Sequence, residues 1–156
     1  MLGFSGAGVT PPAVATAVRA RLAVRVDALI PARSGATVPD ADFRRRIAPF
    51  VQDGRIAEWT TWWGAGVFDG LIPDEGLRAA IRAEGHRLPA GFYGVAVPAP
   101  EVWPEDGSRY VQLSAAYDDD AAEARARGWE VAGDGSGAHL DVATCPSRVA
   151  DLVGSG

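Results

Sequence analysis

The opening residues of the chain constrain its fold more than any other segment. Apolar Met1-Leu2 lead into Gly3-Phe4-Ser5-Gly6-Ala7-Gly8, and Pro11-Pro12 follow after only Val9-Thr10. Such a run reads as the end of a buried strand that breaks into a sharp turn and enters a helix with Pro at its first positions. A turn this tight needs small residues at its flanks, because larger side chains would collide with the adjoining strand and helix. Gly3-Phe4-Ser5-Gly6-Ala7 therefore has the small-x-Ser-x-small form of a nucleophile elbow, with Ala at the fifth position. In that geometry the Ser5 hydroxyl stands above the sheet, and the Gly6 N–H is placed to stabilise a developing oxyanion. A plain Gly-rich turn near a loose N-terminus is the competing reading of the same residues.

Downstream, short Val-rich segments alternate with helix formers. The pattern predicts a helix through Leu22, a strand over Ala23–Ala28, and a loop over Ile30–Pro39. Residues 40–90 read as a mostly helical insertion, with Asp40 capping a helix through Val51 and Pro73-Asp74-Glu75 opening another. Trp59, Trp62 and Trp63 fall at helix-like spacing within it. A strand over Ser108–Ser114, a helix capped by Asp118-Asp119-Asp120 and stopped by Gly128, a short strand at Trp129–Val131, and a helix from Pro146 complete the series. Strands alternating with helices imply an α/β fold with parallel pairing, here one partial domain over 1–156 carrying the 40–90 insertion.

Composition removes several classes of function. The net charge of −5 argues against nucleic acid, whose binding relies on clustered cations. All the basic residues are Arg, which leaves no lysine for a Schiff base or a Walker A phosphate loop. Cys145 is the lone cysteine, and the two histidines lie far apart, so neither a disulfide nor a metal site is expected. No apolar stretch is long enough for a membrane span, and the first residues lack the form of a secretory signal. The expectation is a cytoplasmic protein with no cofactor, no metal and a small-molecule substrate.

Ser5 gains meaning from residues far downstream. Gly137-Ala138-His139-Leu140 lies after the last strand and before the last helix, where a general base on a short loop would serve. Serine first, histidine last and strand-end carboxylates between them is the α/β-hydrolase chain order. Two carboxylates compete as the acid: Asp27, at the end of the strand after the elbow, and Asp118, after the next strand. Asp27 is favoured, since Asp118 also belongs to an ordinary helix-capping cluster. His86, amid Glu84-Gly85 and Arg87, reads as exposed.

These residues together resemble a group of bacterial α/β-hydrolases with a Gly-His-Ser-Gly-Ala-Gly elbow. The likeness is carried by Gly3–Gly8, Val26–Pro31, Trp59–Gly64, Leu113–Tyr117, Arg127–Trp129 and Gly137–Leu140. It implies a serine hydrolase with Ser5 as nucleophile, His139 as base, Asp27 or Asp118 as the acid, and Gly6 in the oxyanion hole. Phe4 stands where that group has His, and Tyr117 stands about where many hydrolases have their acid. Phe4 of the elbow, and Trp59, Trp62 and Trp63 in an insertion placed like a cap, are candidate substrate-binding residues, against the alternative that the tryptophans only pack that insertion. The substrate would be an ester, amide or thioester of a small apolar acyl group.

The chain departs from that group at its beginning. The strands before the elbow and the loop supplying a second oxyanion donor are absent from the sequence, and the expectation is an N-terminally truncated hydrolase. Such a chain would leave a sheet edge beside the elbow strand, open to a second copy or a complementing chain. An inactive remnant acting as a binding module stays open beside the enzyme, as does an unrelated small α/β domain in which Ser5 is incidental.

Overall fold

The computed structural model describes residues 1–64, 66–101, 103 and 105–155. In chain order the elements are β1 (Leu2–Ser5), α1 (Pro11–Val18), β2 (Ala23–Ala28), β3 (Gly35–Thr37), α2 (Ala41–Ile47), β4 (Val51–Gln52), β5 (Arg55–Ile56), α3 (Val67–Leu71), α4 (Glu75–Ala83), β6 (Leu88–Pro89), β7 (Val97–Ala99), β8 (Ser108–Val111), α5 (Asp118–Ala126), β9 (Glu130–Ala132), α6 (Asp141–Thr144) and α7 (Pro146–Gly154). They form two compact units, Met1–Thr37 with Val97–Gly156, and Val38–Ala96. No helix among the described residues is long and apolar enough to cross a membrane.

The first unit is an α/β sandwich around a four-stranded sheet in the order β1-β2-β8-β9, with every neighbouring pair parallel. Central β2 is buried along its whole length, as expected of a parallel strand covered on both faces. One face packs Val24, Val26, Val111 and Leu113 against Val149 of α7. The other packs Tyr110 against Ala121 and Ala124 of α5, beside Trp103 and Trp129. Arg25 also lies in β2 and is fully buried, with its guanidinium over the Trp103 and Trp129 rings. Its Nε donates to the Gly8 carbonyl and its Nη1 to Ser108 Oγ. Burial above all, with a contribution from Arg127, lowers its pKa to about 10, so it stays charged at neutral pH. A two-stranded antiparallel ribbon pairs β3, in the segment expected as a loop, with β7, in the Pro-rich stretch that follows residue 89.

Helix α1 stops short of the predicted Leu22, because Arg19 takes a left-handed conformation and its N–H caps the Ala15 and Thr16 carbonyls. Between β1 and α1 the chain makes a 3₁₀ turn over Gly6–Val9. There a Cβ on Gly8 would overlap the Leu29 carbonyl and come within 2.8 Å of Ala28 Cβ. The Gly-rich turn is therefore a requirement of the crossing over the end of β2. Gly8→Ala should cost about 2–3 kcal/mol through this overpacking, lowering Tm by roughly 5–10 °C for a chain of this size. An unchanged Tm would show that the crossing relaxes freely.

The second unit has the expected helices together with a small sheet that was not expected. Asp40 does cap α2, accepting from the Asp42 and Phe43 N–H groups, but the helix ends at Ile47 and a 3₁₀ turn follows. Asp53 and Gly54, both at positive φ, then turn β4 into β5 as a hairpin, and β6 completes a three-stranded antiparallel sheet. An Asp-Gly pair between two-residue strands is a hairpin signal, hidden here because the strands are too short to show alternation. The core of this unit is Ile47, Ile56 and Trp62, with Phe43, Phe50, Trp59, Leu88 and Tyr93 around it.

Candidate active site

The chain at the end of β1 is strained. Ser5 sits at φ 54°, ψ −130°, a conformation close to one that only glycine adopts freely. Strain of this kind, on the order of 1–3 kcal/mol, persists where the surrounding structure enforces it, and such residues cluster at functional sites. Gly8 closes the turn below, and the Ser5 carbonyl is fixed by the Leu29 N–H at 3.1 Å. Across the ladder Phe4 pairs with Val26 but Ser5 pairs with Ala28, so Asp27 is an extra residue bulged out of β2. Asp27 itself has φ 42°. The Tyr110 hydroxyl accepts from the Ala28 N–H at 3.1 Å and donates to the Ala28 carbonyl at 3.0 Å, pinning the bulge from the neighbouring strand. A bulge beside a site re-aims a side chain, and here it aims a carboxylate.

The Asp27 carboxylate is fully buried and each lone-pair position is occupied. Oδ1 accepts from the backbone N–H groups of Leu113 and Ser114 at 2.9 and 3.0 Å. Oδ2 accepts from the Ser114 hydroxyl at 2.6 Å and from His139 Nδ1 at 2.9 Å. Burial pushes the carboxyl pKa up, but the hydrogen bonds from His139, Ser114 and Leu113 together outweigh it and hold the group below its ordinary value. An ionised acceptor at Nδ1 makes that nitrogen the donor and leaves Nε2 of the neutral imidazole as a base.

His139 reaches Asp27 because its loop is tied to the end of β8. Gly137 N–H donates to the Leu113 carbonyl at 2.8 Å, Ser136 bridges Ser114, and the Ala138 N–H donates to Asp141 Oδ2 at 3.1 Å. The imidazole is about one-third exposed. Phe4 stacks on it with ring centroids 4.5 Å apart, and Tyr117 stacks on it at 5.0 Å with the planes inclined by 16°. The Tyr117 hydroxyl lies 3.3 Å from Ser5 Oγ, the one hydrogen bond of that oxygen among the described residues. Burial, first among its influences, raises the Tyr117 pKa, so the phenol keeps its proton at neutral pH.

Asp27 and His139, separated widely along the chain, thus meet in one hydrogen bond, and Ser5 is linked to them through Tyr117, which stacks on His139; no hydrogen bond joins Ser5 to His139 among the described residues. Asp118 does not join them: it is exposed and accepts from Gln112 Nε2 at 2.5 Å. Nor do the three aspartates cap α5 from outside; they occupy its first turn after Tyr117. Asp120 there accepts from the Ile30 N–H at 2.9 Å, tethering the segment after β2. Phe4 spends one ring face on His139. Gly6 is exposed beyond the strand end. Trp62 is buried in the core of the second unit with Nε1 donating to the Ala57 carbonyl, Trp59 packs edge-on against Phe68, and Trp63 is half exposed. His86 is exposed and bonded to its own chain at Glu84.

Ser114 and Tyr117 are the residues that sequence reasoning did not place in the site. Ser114 was legible only as the end of a strand. Tyr117 carried a signal, since it stands about where an acid is common, but its contact with Ser5 spans 112 positions. No protein-family model, curated protein or solved structure matches the chain.

Proposed function

We propose that the chain is a serine hydrolase of the α/β-hydrolase type, acting on an ester, amide or thioester of a small apolar acyl group. The observation that carries this reading is the His139–Asp27 hydrogen bond beside a strained serine. A saturated, ionised carboxylate fixes the imidazole tautomer and stabilises the imidazolium that proton transfer creates. Tyr117 and Phe4, both stacked on that imidazole, link it to Ser5: one bonds the serine hydroxyl and the other precedes it in the chain.

The chemistry runs in two balanced halves. Ser5 Oγ bonds to the acyl carbon as its proton passes to His139 Nε2, and the carbonyl π pair moves onto oxygen. Collapse of that adduct expels the leaving group, which takes the proton from the imidazolium. Water then repeats the sequence on the acyl-enzyme, releasing the acid and restoring Ser5. The Gly6 N–H, at the start of the turn after Ser5, is a donor to the oxyanion. For the first step Oγ turns from Tyr117 toward Nε2, a tightening usual when substrate binds.

A fluorophosphonate probe tests the reading directly. Labelling of the folded chain should be stoichiometric, and peptide mass mapping should place the adduct on Ser5. A folded sample that stays unlabelled, or labelling at another residue, would sink the nucleophile assignment. The first of those outcomes would favour the binding-module alternative.

A further inference from the structure

We infer that the Tyr117 hydroxyl is a side-chain donor to the oxyanion, completing with the Gly6 N–H a two-donor hole at Ser5. The inference rests on the hydrolase reading and deepens it. An acyl oxyanion forms one bond away from the carbon that Oγ attacks, so it develops next to Oγ. A donor serves it when it lies about 2.7–3.1 Å from the oxyanion position. The Tyr117 hydroxyl already stands 3.3 Å from Oγ.

The direction of approach also fits. The Tyr117 ring stacks on His139 with planes 16° apart and centroids 5.0 Å apart. Parallel rings so close cannot be coplanar, and the phenol therefore reaches Oγ from beside the imidazole plane. Proton transfer to Nε2 runs within that plane, so the two hydrogen bonds do not compete for one direction. The hydroxyl is held by ring stacking at the N-terminal end of α5, and the following Asp120 ties that end to Ile30. A donor fixed before the reaction needs no reorganisation as charge develops, which is what makes such a group effective. The neutral phenol supplies a proton to share without adding charge.

The test compares p-nitrophenyl butyrate with p-nitrophenyl thionobutyrate on the full chain and on Tyr117→Phe. Sulfur accepts hydrogen bonds weakly, so a thiono substrate gains little from an oxyanion donor. Tyr117→Phe keeps the stacked ring. It should lower kcat on the oxoester by about 10²–10³ with KM little changed, and leave the thionoester within about threefold. Phenylboronic acid, which forms a tetrahedral adduct on the serine, should bind the variant more weakly. Equal losses on both esters, or no loss on either, would overturn the donor role. If Tyr117→Phe does not fold, 3-fluorotyrosine at position 117 keeps the ring and acidifies the phenol. It must then change the oxoester rate and spare the thionoester rate, and any other result overturns the inference. Wild-type chain without Ser5-dependent turnover would overturn the hydrolase reading itself. Ser5-dependent turnover without the selective loss removes only the assignment to Tyr117.

Discussion

Ser5→Ala and His139→Ala should each lower kcat/KM on p-nitrophenyl butyrate by about 10⁴–10⁶, and the double variant by no more than either alone. The expectation follows from the geometry of a unit. A serine hydroxyl at its free pKa is a weak nucleophile, and in the proposed mechanism the imidazole activates it. Without His139 the Ser5 hydroxyl finds no base in its one hydrogen-bond partner among the described residues, since Tyr117 keeps its own proton. Without Ser5 the imidazole has no nucleophile to serve. Both losses therefore remove the same step, and they cannot add. The residual rate measures what the oxyanion donors and substrate binding contribute alone. Steady-state kinetics on the two single variants and the double variant decide it. Losses that multiply would mean that Ser5 and His139 act independently, and wild-type turnover in either variant would remove that residue from the chemistry.

Asp27→Asn is the second large effect, and it acts on rate and on stability together. The amide keeps the shape of the carboxylate, but its nitrogen faces donors where an acceptor stood. Either His139 loses its partner at Nδ1 or it adopts the tautomer with the proton on Nε2, which cannot act as a base. A fall in kcat of about 10³–10⁴ is expected. The same substitution disrupts charge-assisted bonds from Ser114, Leu113 and His139, for a loss of about 1–3 kcal/mol. The pH dependence has a definite sign. The folded Asp27 pKa lies below its ordinary value, with burial opposing the shift and the hydrogen bonds overcoming it. A depressed acid contributes stability that is full above the unfolded pKa and fades as pH falls through the folded one. The stability gap between wild type and Asp27→Asn should therefore be present at neutral pH and narrow below about pH 4, near the unfolded carboxylate value. Urea titrations at pH 7 and pH 3 measure it, and a gap that widens in acid would contradict the saturated carboxylate.

The elements that could be read from the sequence are those whose residues face one environment along their length. β2 runs over Ala23–Ala28 as expected, because a strand buried on both faces shows as an uninterrupted Val-rich run even around Arg25 and Asp27. β8 ends at Val111 and not at Ser114, for a reason no local pattern contains. The N–H groups of Leu113 and Ser114 turn to the Asp27 carboxylate. Helix α6, of four residues, and the two-residue strands of the second unit were missed because elements so short carry no measurable period.

By itself the sequence specified the Gly-rich turn at Ser5, the alternation that yields a parallel α/β sheet, and the order serine, aspartate, histidine. These are local or serial properties, legible because tight turns exclude side chains and buried strands exclude polar runs. Tertiary structure alone decided between Asp27 and Asp118 as the partner of His139, and it brought Ser114 and Tyr117 to the same place. The choice turns on a one-residue bulge at Asp27 and on a loop tied to Leu113. Both use backbone groups just past the end of β8, the Leu113 and Ser114 N–H groups for Asp27 and the Leu113 carbonyl for the loop. Their placement is settled only when strands distant in the chain lie side by side.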